Sequence, residues 1–222
     1  MKKFLFYALL ALLLSHWACK DPTTEEVDTS LGKHYFPLKE GATYLYEVDS
    51  IVYNRFNQSV DTFQSQLRIR YLFFFEDSTG NPMLKVETDN PNIPFHTPGN
   101  RNVTALQLRN NQIVNYTDSG KVVKMSFPLR NSNQWNAHIY NTREPNWVEI
   151  QNHNQPFSVL GTEYPKTTTA VWNDFQTPIV DFTHHEVYAH QVGMIYSENN
   201  YVLRLDGVVS GIKVILKLKE VN

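Results

Sequence analysis

Residues 35–53, YFPLKEGATYLYEVDSIVY, decide the fold, because a turn signal there runs directly into a long extended segment. Pro37 fixes its own φ angle and Gly41 tolerates a positive φ, so the residues between them favour a turn. Beyond that turn the side chains alternate between two faces. One face carries Tyr44, Tyr46, Val48, Ser50 and Val52, and the other carries Thr43, Leu45, Glu47, Asp49 and Ile51. A period of two predicts a half-buried strand over residues 43–53.

A related phrase returns 91 positions later in the chain. FPLK at residues 36–39, with Tyr44 eight residues after its phenylalanine, is matched by FPLR at residues 127–130, with Trp135 in the equivalent place. The repetition predicts one local device built twice. It also predicts that Trp135 is a buried structural residue that closes the second copy.

Length and composition are compatible with one β-rich domain or two small ones, and one domain is the favoured interpretation. The 222 residues are 41% hydrophobic and 13% aromatic, and the formal net charge is −2. A chain of this size can bury a sizeable core. Because its charge is slightly acidic, nucleic acid is not expected as a partner.

The first residues predict an exported, lipid-anchored protein. A basic start, Met1-Lys2-Lys3, precedes an apolar run over residues 4–14 that is too short to span a bilayer. Residues 1–18 therefore read as a signal peptide. Cys19, the sole cysteine, follows a small residue, as lipoprotein processing requires, although His16 stands where a leucine is usual. Lipid attachment at Cys19 is expected, with ordinary secretion as the alternative.

A lipidated Cys19 would hold the protein on its membrane. A diacylglycerol together with an amide-linked acyl chain such as palmitate binds a bilayer far more firmly than one acyl chain. Residues 19–33 are polar and acidic, which suits a solvated tether, and residues 34–222 form the predicted β-rich domain. Lys20-Asp21 resembles a signal that sends some lipoproteins to the outer face of the outer membrane. The sequence thus predicts the outer membrane and leaves the periplasmic and cell-surface faces open.

The body of the chain has the turn spacing of an antiparallel meander. Residues 61–76 predict a long strand, residues 83–87 its return, and residues 89–102 a loop rich in proline and asparagine. The strands expected after that loop are separated by short turns at residues 110–111, 118–120, 198–200 and 206–207 and by less regular segments elsewhere. These strands cover residues 103–108, 112–116, 121–127, 147–150, 167–172, 186–189, 192–196, 201–205 and 212–221.

Three details of that second half are specific predictions. Residues 153–156 and residues 198–200 read as turns by composition. In the last strand, Lys213, Lys217 and Lys219 share one face, which suggests an edge strand guarded against pairing with another chain. The fold class that follows is all-β, a single antiparallel meander curled into an open or partly closed barrel.

Four blocks carry a resemblance to a known group of proteins. They are YFPLKEG at 35–41, YEVDSIVY at 46–53, FP at 127–128 with WN at 135–136, and EVYA at 186–189 with VGMIY at 192–196. In order and spacing they resemble an uncharacterised family of Bacteroidota cell-envelope lipoproteins. His190-Gln191 departs from that pattern, so the resemblance does not extend to the turn at these two residues. The resemblance implies a lipoprotein with a β-rich fold and brings no activity, cofactor or catalytic residue.

One cluster of titratable side chains could bind a metal or move a proton. His184, His185, Glu186 and His190 lie close in sequence, and histidine both ligates metals and titrates near neutral pH. The spacing does not fit a zincin helix, and residues 186–189 read as a strand. A solvated polar face is the favoured interpretation, with no metal and no cofactor expected. A hydrolase that uses these four residues is the less favoured alternative.

The aromatic residues supply a second candidate site. The strand that carries Arg68 and Arg70 continues with Tyr71, Phe73, Phe74 and Phe75. Its solvent-exposed face becomes apolar there, so we expect another group to cover that face. The loop over residues 89–102 is the favoured cover, and a small apolar ligand is the alternative. Core packing is the favoured use of this aromatic group, to which Trp135, Trp147 and Trp172 also belong, since aromatics fill cores more often than pockets. The sequons at Asn57, Asn102 and Asn115 read as loop chemistry.

The sequence therefore favours a binding or scaffolding module of the cell envelope over an enzyme. A small apolar ligand or an envelope protein is the expected partner, in addition to the membrane reached through Cys19. The alternative is a purely structural envelope component. An enclosed aromatic cavity would distinguish a binding module from a structural component with a filled core.

Overall fold

A computed structural model describes residues 30–94 and 97–222 of the chain. The predicted signal peptide, Cys19 and most of the tether lie outside the described residues. The described part opens with a single turn of 3-10 helix at Lys33–Tyr35 and continues as twelve strands. Their bounds are β1 Thr43–Tyr53, β2 Val60–Glu76, β3 Pro82–Asp89, β4 Arg101–Arg109, β5 Gln112–Thr117, β6 Gly120–Ser126, β7 Gln134–Asn136, β8 Trp147–Val159, β9 Thr162–Gln176, β10 Val180–Ala189, β11 Gly193–Leu205 and β12 Val208–Val221.

All twelve strands belong to one antiparallel sheet, in the order β6-β5-β4-β3-β2-β1-β12-β11-β10-β9-β8-β7. Each strand pairs with the strand that follows it in the chain, except that β6 does not pair with β7. The first and last strands pair with each other over ten residues of β1, with one bulge after Leu45. The sheet is therefore nearly closed into a barrel, as the sequence predicts, and its one gap lies in the middle of the chain.

Isolated contacts bridge the gap between β6 and β7, which we call the seam. The Val123 amide donates to the Ala137 carbonyl at 2.9 Å, and Trp135 Nε1 donates to the Val123 carbonyl at 3.0 Å. Asn141 Nδ2 adds a hydrogen bond to the Lys121 carbonyl at 2.8 Å. Trp135 is only 4% exposed, so it is the buried structural residue that the repeated phrase predicts.

The two copies of the phrase lie close together but differ in geometry. Phe36, Phe127 and Leu129 all belong to one buried apolar cluster, and the Leu129 amide donates to the Leu31 carbonyl at 3.0 Å. The Phe127-Pro128 peptide bond is cis. In the described part of the chain, the matching Phe36-Pro37 bond is not cis. The prediction of one device built twice thus holds for burial and not for backbone conformation.

Two predicted turns are wrong, because both segments lie inside long strands. Residues 153–156 form a bulged stretch of β8, where Asn152 and Asn154 have φ angles of 50° and 60° and the register with β9 shifts. Residues 198–200 pair with β10 on one side and with β12 on the other. Polar composition suggested turns at both places, but backbone pairing with neighbouring strands and the ion pair from Lys213 to Glu198, at 2.6 Å, hold the second stretch extended.

The last strand is not an edge, so that prediction is also wrong. β12 lies between β1 and β11, and its lysines face acidic partners on those strands. Lys217 pairs with Asp49 at 2.7 Å and Lys219 with Glu47 at 3.1 Å. The alternation of charge along β12 therefore serves cross-strand pairing inside the sheet rather than protection of an edge.

The core consists of two buried clusters that share partly buried neighbours. The larger contains Leu84, Ile113, Val123, Met125 and Trp172, together with thirteen other side chains that include Tyr188. The smaller is centred on Tyr44, Tyr46, Val187, Ile195 and Leu218. In the described ranges, no helix is long and apolar enough to cross a membrane.

Candidate functional site

A buried carboxylate, Glu186 on β10, is the centre of the candidate site. Only 5% of Glu186 is exposed, so the prediction of a solvated polar face at this position is wrong. The pairing of β10 with β9 is interrupted by a register shift between His184 and His185, beside Trp172. Strand alternation places His184, Glu186 and Tyr188 on one side of β10.

Glu186 is held by three hydrogen bonds from side chains of three different strands. Its Oε1 accepts from Lys124 Nζ of β6 at 2.6 Å. Its Oε2 accepts from the Tyr188 hydroxyl at 2.6 Å and from Trp172 Nε1 of β9 at 3.1 Å. Lys124 and Glu186 belong to strands that do not pair, so they meet across the interior of the barrel.

Aromatic rings surround this ion pair. Lys124 Nζ lies 4.6 Å from the centroid of the Trp172 ring, a distance at which the ring attracts the ammonium. The His184 ring stacks on the Trp172 ring, with 5.4 Å between ring centroids. His184 Nε2 lies 3.8 Å from Glu186 Oε1. The ion pair is thus fixed by packing as well as by hydrogen bonds.

The surroundings of Glu186 keep it ionised. Burial alone would raise the pKa of this carboxyl, but the charge of Lys124, the adjacent His184 ring and the hydrogen bonds that the carboxylate accepts outweigh burial and lower the pKa well below its usual range. Burial and the Glu186 charge raise the pKa of the Tyr188 hydroxyl well above its usual range. Tyr188 therefore remains a hydrogen-bond donor to a carboxylate at any physiological pH.

A partly enclosed cavity of about 190 Å³ lies against this ion pair. Its walls come from eight strands and from the turn at Phe36, which places it inside the barrel. The lining residues are Phe36, Tyr44, Tyr46, Ile69, Tyr71, Val86, Thr88, Thr104, Leu106, Asn115, Lys124, Glu186, Tyr188, Gly193 and Met194. The barrel core is therefore not completely filled, and the unfilled part borders its buried charges.

The histidine cluster does not converge on one point. His184 lies near Glu186, whereas His185 stacks on Tyr196, with 5.8 Å between centroids. His190 lies beside Tyr35 and His34, with centroid distances of 5.4 and 5.3 Å. No group of three or more metal-ligating side chains occurs in the part of the chain that the structure describes.

The four aromatic candidates on β2 are also divided. A register shift between Tyr71 and Phe74 breaks the alternation, so that Tyr71 lines the interior cavity while Phe73 and Phe75 line a shallow outer groove of about 570 Å³. Phe73, Phe74 and Phe75 are 47%, 43% and 39% exposed. The predicted cover over Phe74 is therefore wrong.

The predicted covering loop lies elsewhere. Residues 90–100 connect β3 to β4, and Asn92 lines a small cleft with Gln64, Ser65 and Gln66 at the other end of β2. Of the tryptophans singled out with these aromatics, Trp172 is buried as predicted, whereas Trp147 is 62% exposed.

Sequence reasoning missed Lys124 and Asn115, both of which line the cavity. Lys124 interrupts the apolar residues Val122, Val123 and Met125 of β6, and a charge within such an apolar run is the signal that could have found it. Asn115 belongs to β5 and Asn102 to β4, so the loop interpretation of their sequons is wrong. Asn115 Oδ1 is buried and has no hydrogen-bond partner in the described part of the chain.

No protein-family model matches the chain, and no curated protein matches it. Among solved structures, it is similar to a crystal structure from Parabacteroides distasonis of a protein provisionally named a lipoprotein, with 9% sequence identity and a TM-score of 0.43. The likeness covers 85% of this chain and 98% of the other. A likeness of this degree carries no argument about function.

Proposed function

We propose that this protein is a lipid-anchored component of a bacterial outer membrane whose barrel binds a small ligand in its interior. The observation that carries the binding role is the unfilled cavity beside the buried pair of Lys124 and Glu186. Ligand sites are typically concave, mostly apolar and provided with a few well-placed polar groups, and this cavity has all three properties.

The anchor is supported by the order of the N-terminal features. A basic start, an apolar run and a single cysteine are followed by an acidic, polar segment before the first described residue, Ser30. Cys19 is the proposed site of lipid attachment. The barrel would then stand off the membrane on a short tether.

Replacement of Cys19 tests the anchor. In the Cys19→Ser variant we expect the protein to leave the membrane fraction and to lose the mass of its lipid, because a bilayer holds a folded domain of this kind only through its acyl chains. Lys20→Ala is a matched control that leaves the cysteine in place. Equal membrane partition and equal mass for wild type and Cys19→Ser would overturn the anchor.

Thermal melts in the presence of an envelope extract test the binding role. A ligand that binds only the folded state raises the melting temperature. We expect the extract to stabilise the wild-type protein and to have no effect on Thr88→Phe, which places a ring in the cavity. Val103→Phe is the control, because Val103 lies on the neighbouring strand, 39% exposed, and lines the outer groove. A wild-type protein indifferent to the extract would favour a purely structural role.

A further inference from the structure

We propose that the interior cavity takes a small, uncharged, hydroxyl-rich ligand of about one ring, such as a neutral monosaccharide or a cyclic polyol. This inference rests on the proposed binding role and specifies the class of its ligand. It depends on the charge, the polar atoms and the size of the cavity.

The charges that line the cavity cancel each other. Lys124 and Glu186 are the charged side chains among its described lining residues, and they are paired at 2.6 Å. The remaining oxygen of Glu186 is occupied by Tyr188 and Trp172. A charged ligand would lose its hydration without gaining a free counter-charge, so an uncharged ligand is favoured.

The walls offer polar atoms to a ligand, one of them a buried acceptor without a partner in the described protein. Asn115 Oδ1 is buried and has no hydrogen-bond partner among the described residues. Tyr44 and Tyr71 also line the cavity, and a tyrosine hydroxyl can donate or accept a hydrogen bond. A buried acceptor left unsatisfied costs about 1 to 3 kcal/mol, so buried polar atoms are rarely left so. A purely apolar ligand would leave the Asn115 acceptor unpaired, whereas hydroxyl groups can both donate to Asn115 and accept from the tyrosines.

The rest of the wall suits the faces of a small ring. Tyr44 and Tyr71 contact each other at 5.2 Å between centroids with a tilt of 56°, and Phe36 and Met194 add apolar surface. Burial raises the pKa of both tyrosine hydroxyls, which therefore remain neutral. The volume of about 190 Å³ is below the roughly 300 to 1,000 Å³ typical of drug-sized ligands, so one ring fits better than two.

A panel of compounds of similar size tests the class of ligand. The purified full-length lipoprotein, in detergent, is titrated with glucose, galactose and inositol as neutral polyols. Gluconate and glucosamine serve as charged analogues, and cyclohexane as the apolar one. We expect at least one neutral polyol to bind and to raise the melting temperature, and the charged and apolar compounds to have no effect.

Two variants locate the binding inside the cavity. Asn115→Leu removes the unpaired amide at nearly constant size, and Tyr71→Phe removes one hydroxyl. Each should weaken polyol binding by about three- to tenfold, which corresponds to the loss of one hydrogen bond. Tyr201→Phe is the control, because Tyr201 is 48% exposed and lies outside the cavity.

The outcomes separate this inference from the proposed function. Binding of only charged or apolar compounds overturns the ligand class and leaves the binding role standing. The same holds if no polyol binds while the envelope extract still stabilises the wild type and not Thr88→Phe. Polyol binding that is equal in wild type, Asn115→Leu and Tyr71→Phe overturns the assignment to this cavity. No response to the extract or to any compound overturns both proposals.

Discussion

Glu186 is a charge that the barrel can bury only because its partners are built into three strands. Removing one member of a buried ion pair leaves the other uncompensated, which typically costs about 3 to 5 kcal/mol. We therefore expect Glu186→Gln to lower the free energy of unfolding by about that amount at neutral pH, because Lys124 loses its carboxylate. Urea unfolding measures the change. Glu47→Gln is the control, since Glu47 and Lys219 are both more than 40% exposed and such pairs contribute about 1 kcal/mol or less.

The pH dependence of this effect follows from the lowered pKa of Glu186. A carboxyl whose pKa is lower in the folded state contributes stability above its unfolded pKa, and that stability is lost as the pH falls further. The difference in stability between wild type and Glu186→Gln should therefore be constant above about pH 5 and shrink below about pH 4.5. A difference that stays constant down to pH 3 would contradict the assignment of an ionised Glu186.

Phe74 illustrates how exposure decides the cost of a substitution. A well-buried phenylalanine costs about 3 to 5 kcal/mol when it is replaced by alanine, but Phe74 is 43% exposed. We expect Phe74→Ala to cost only about 1 kcal/mol. Its cross-strand partner Leu84 is fully buried, so Leu84→Ala should cost about 2 to 5 kcal/mol. Equal losses for the two variants in urea unfolding would contradict the exposed position of the Phe74 ring.

At the scale of the elements, one close approach of two backbones depends on a glycine. Gly211 begins the pairing of β12 with β1 and has a φ angle of 136°. A Cβ atom at this position would lie 2.0 Å from the Tyr201 carbonyl oxygen on β11. The two strands can therefore approach each other only where a side chain is absent.

Substitution of Gly211 by alanine should destabilise the β11–β12 hairpin strongly. We expect Gly211→Ala to cost about 2 to 4 kcal/mol, because either the strand pairing or the backbone must shift. Gly207→Ala is the matched control, since Gly207 also has a positive φ, of 77°, but has open space around it. That control should cost about 1 kcal/mol. Similar melting temperatures for the two variants would show that the close contact is relieved easily.

At the scale of the whole molecule, the weakest place in the barrel is in the middle of the chain rather than at its ends. β1 and β12 have paired neighbours on both sides, whereas β7 has three residues and one full ladder, with β8. In a strand that pairs with a neighbour on each side, the amides exchange only when a large part of the sheet opens. The first and last strands are thus held as firmly as the other strands in the interior of the sheet.

Hydrogen exchange under native conditions checks this order. Amides in the middle of β1 and β12 should exchange at the rate of global unfolding, and those of β7 and of the seam edge of β6 should exchange faster. Trp135→Phe keeps a ring but removes the hydrogen bond to the Val123 carbonyl, so it should accelerate exchange at the seam most. Faster exchange in β1 and β12 than in β7 would place the weak point at the chain ends instead.

Local patterns in the sequence predicted the fold class well. The alternation over residues 43–53 matches β1 to the residue, and the turns at residues 110–111, 118–120 and 206–207 lie where asparagine, aspartate and glycine predict them. These features depend on side-chain period and backbone preference, which act over a few residues and can be read directly from the chain.

What only the tertiary structure decided are the features that arise from pairing between distant strands. Bulges on β2, β8 and β9 shift the alternation, so Tyr71 turns to the interior while Phe73 and Phe75 line the outer groove. The closure of the sheet brings Lys124 of β6 to Glu186 of β10 and creates a cavity beside them. The sequence around Lys124 does not indicate a contact with Glu186, nor the reverse. A one-residue bulge reverses which face of a strand is buried, and only the closed barrel determines which faces meet.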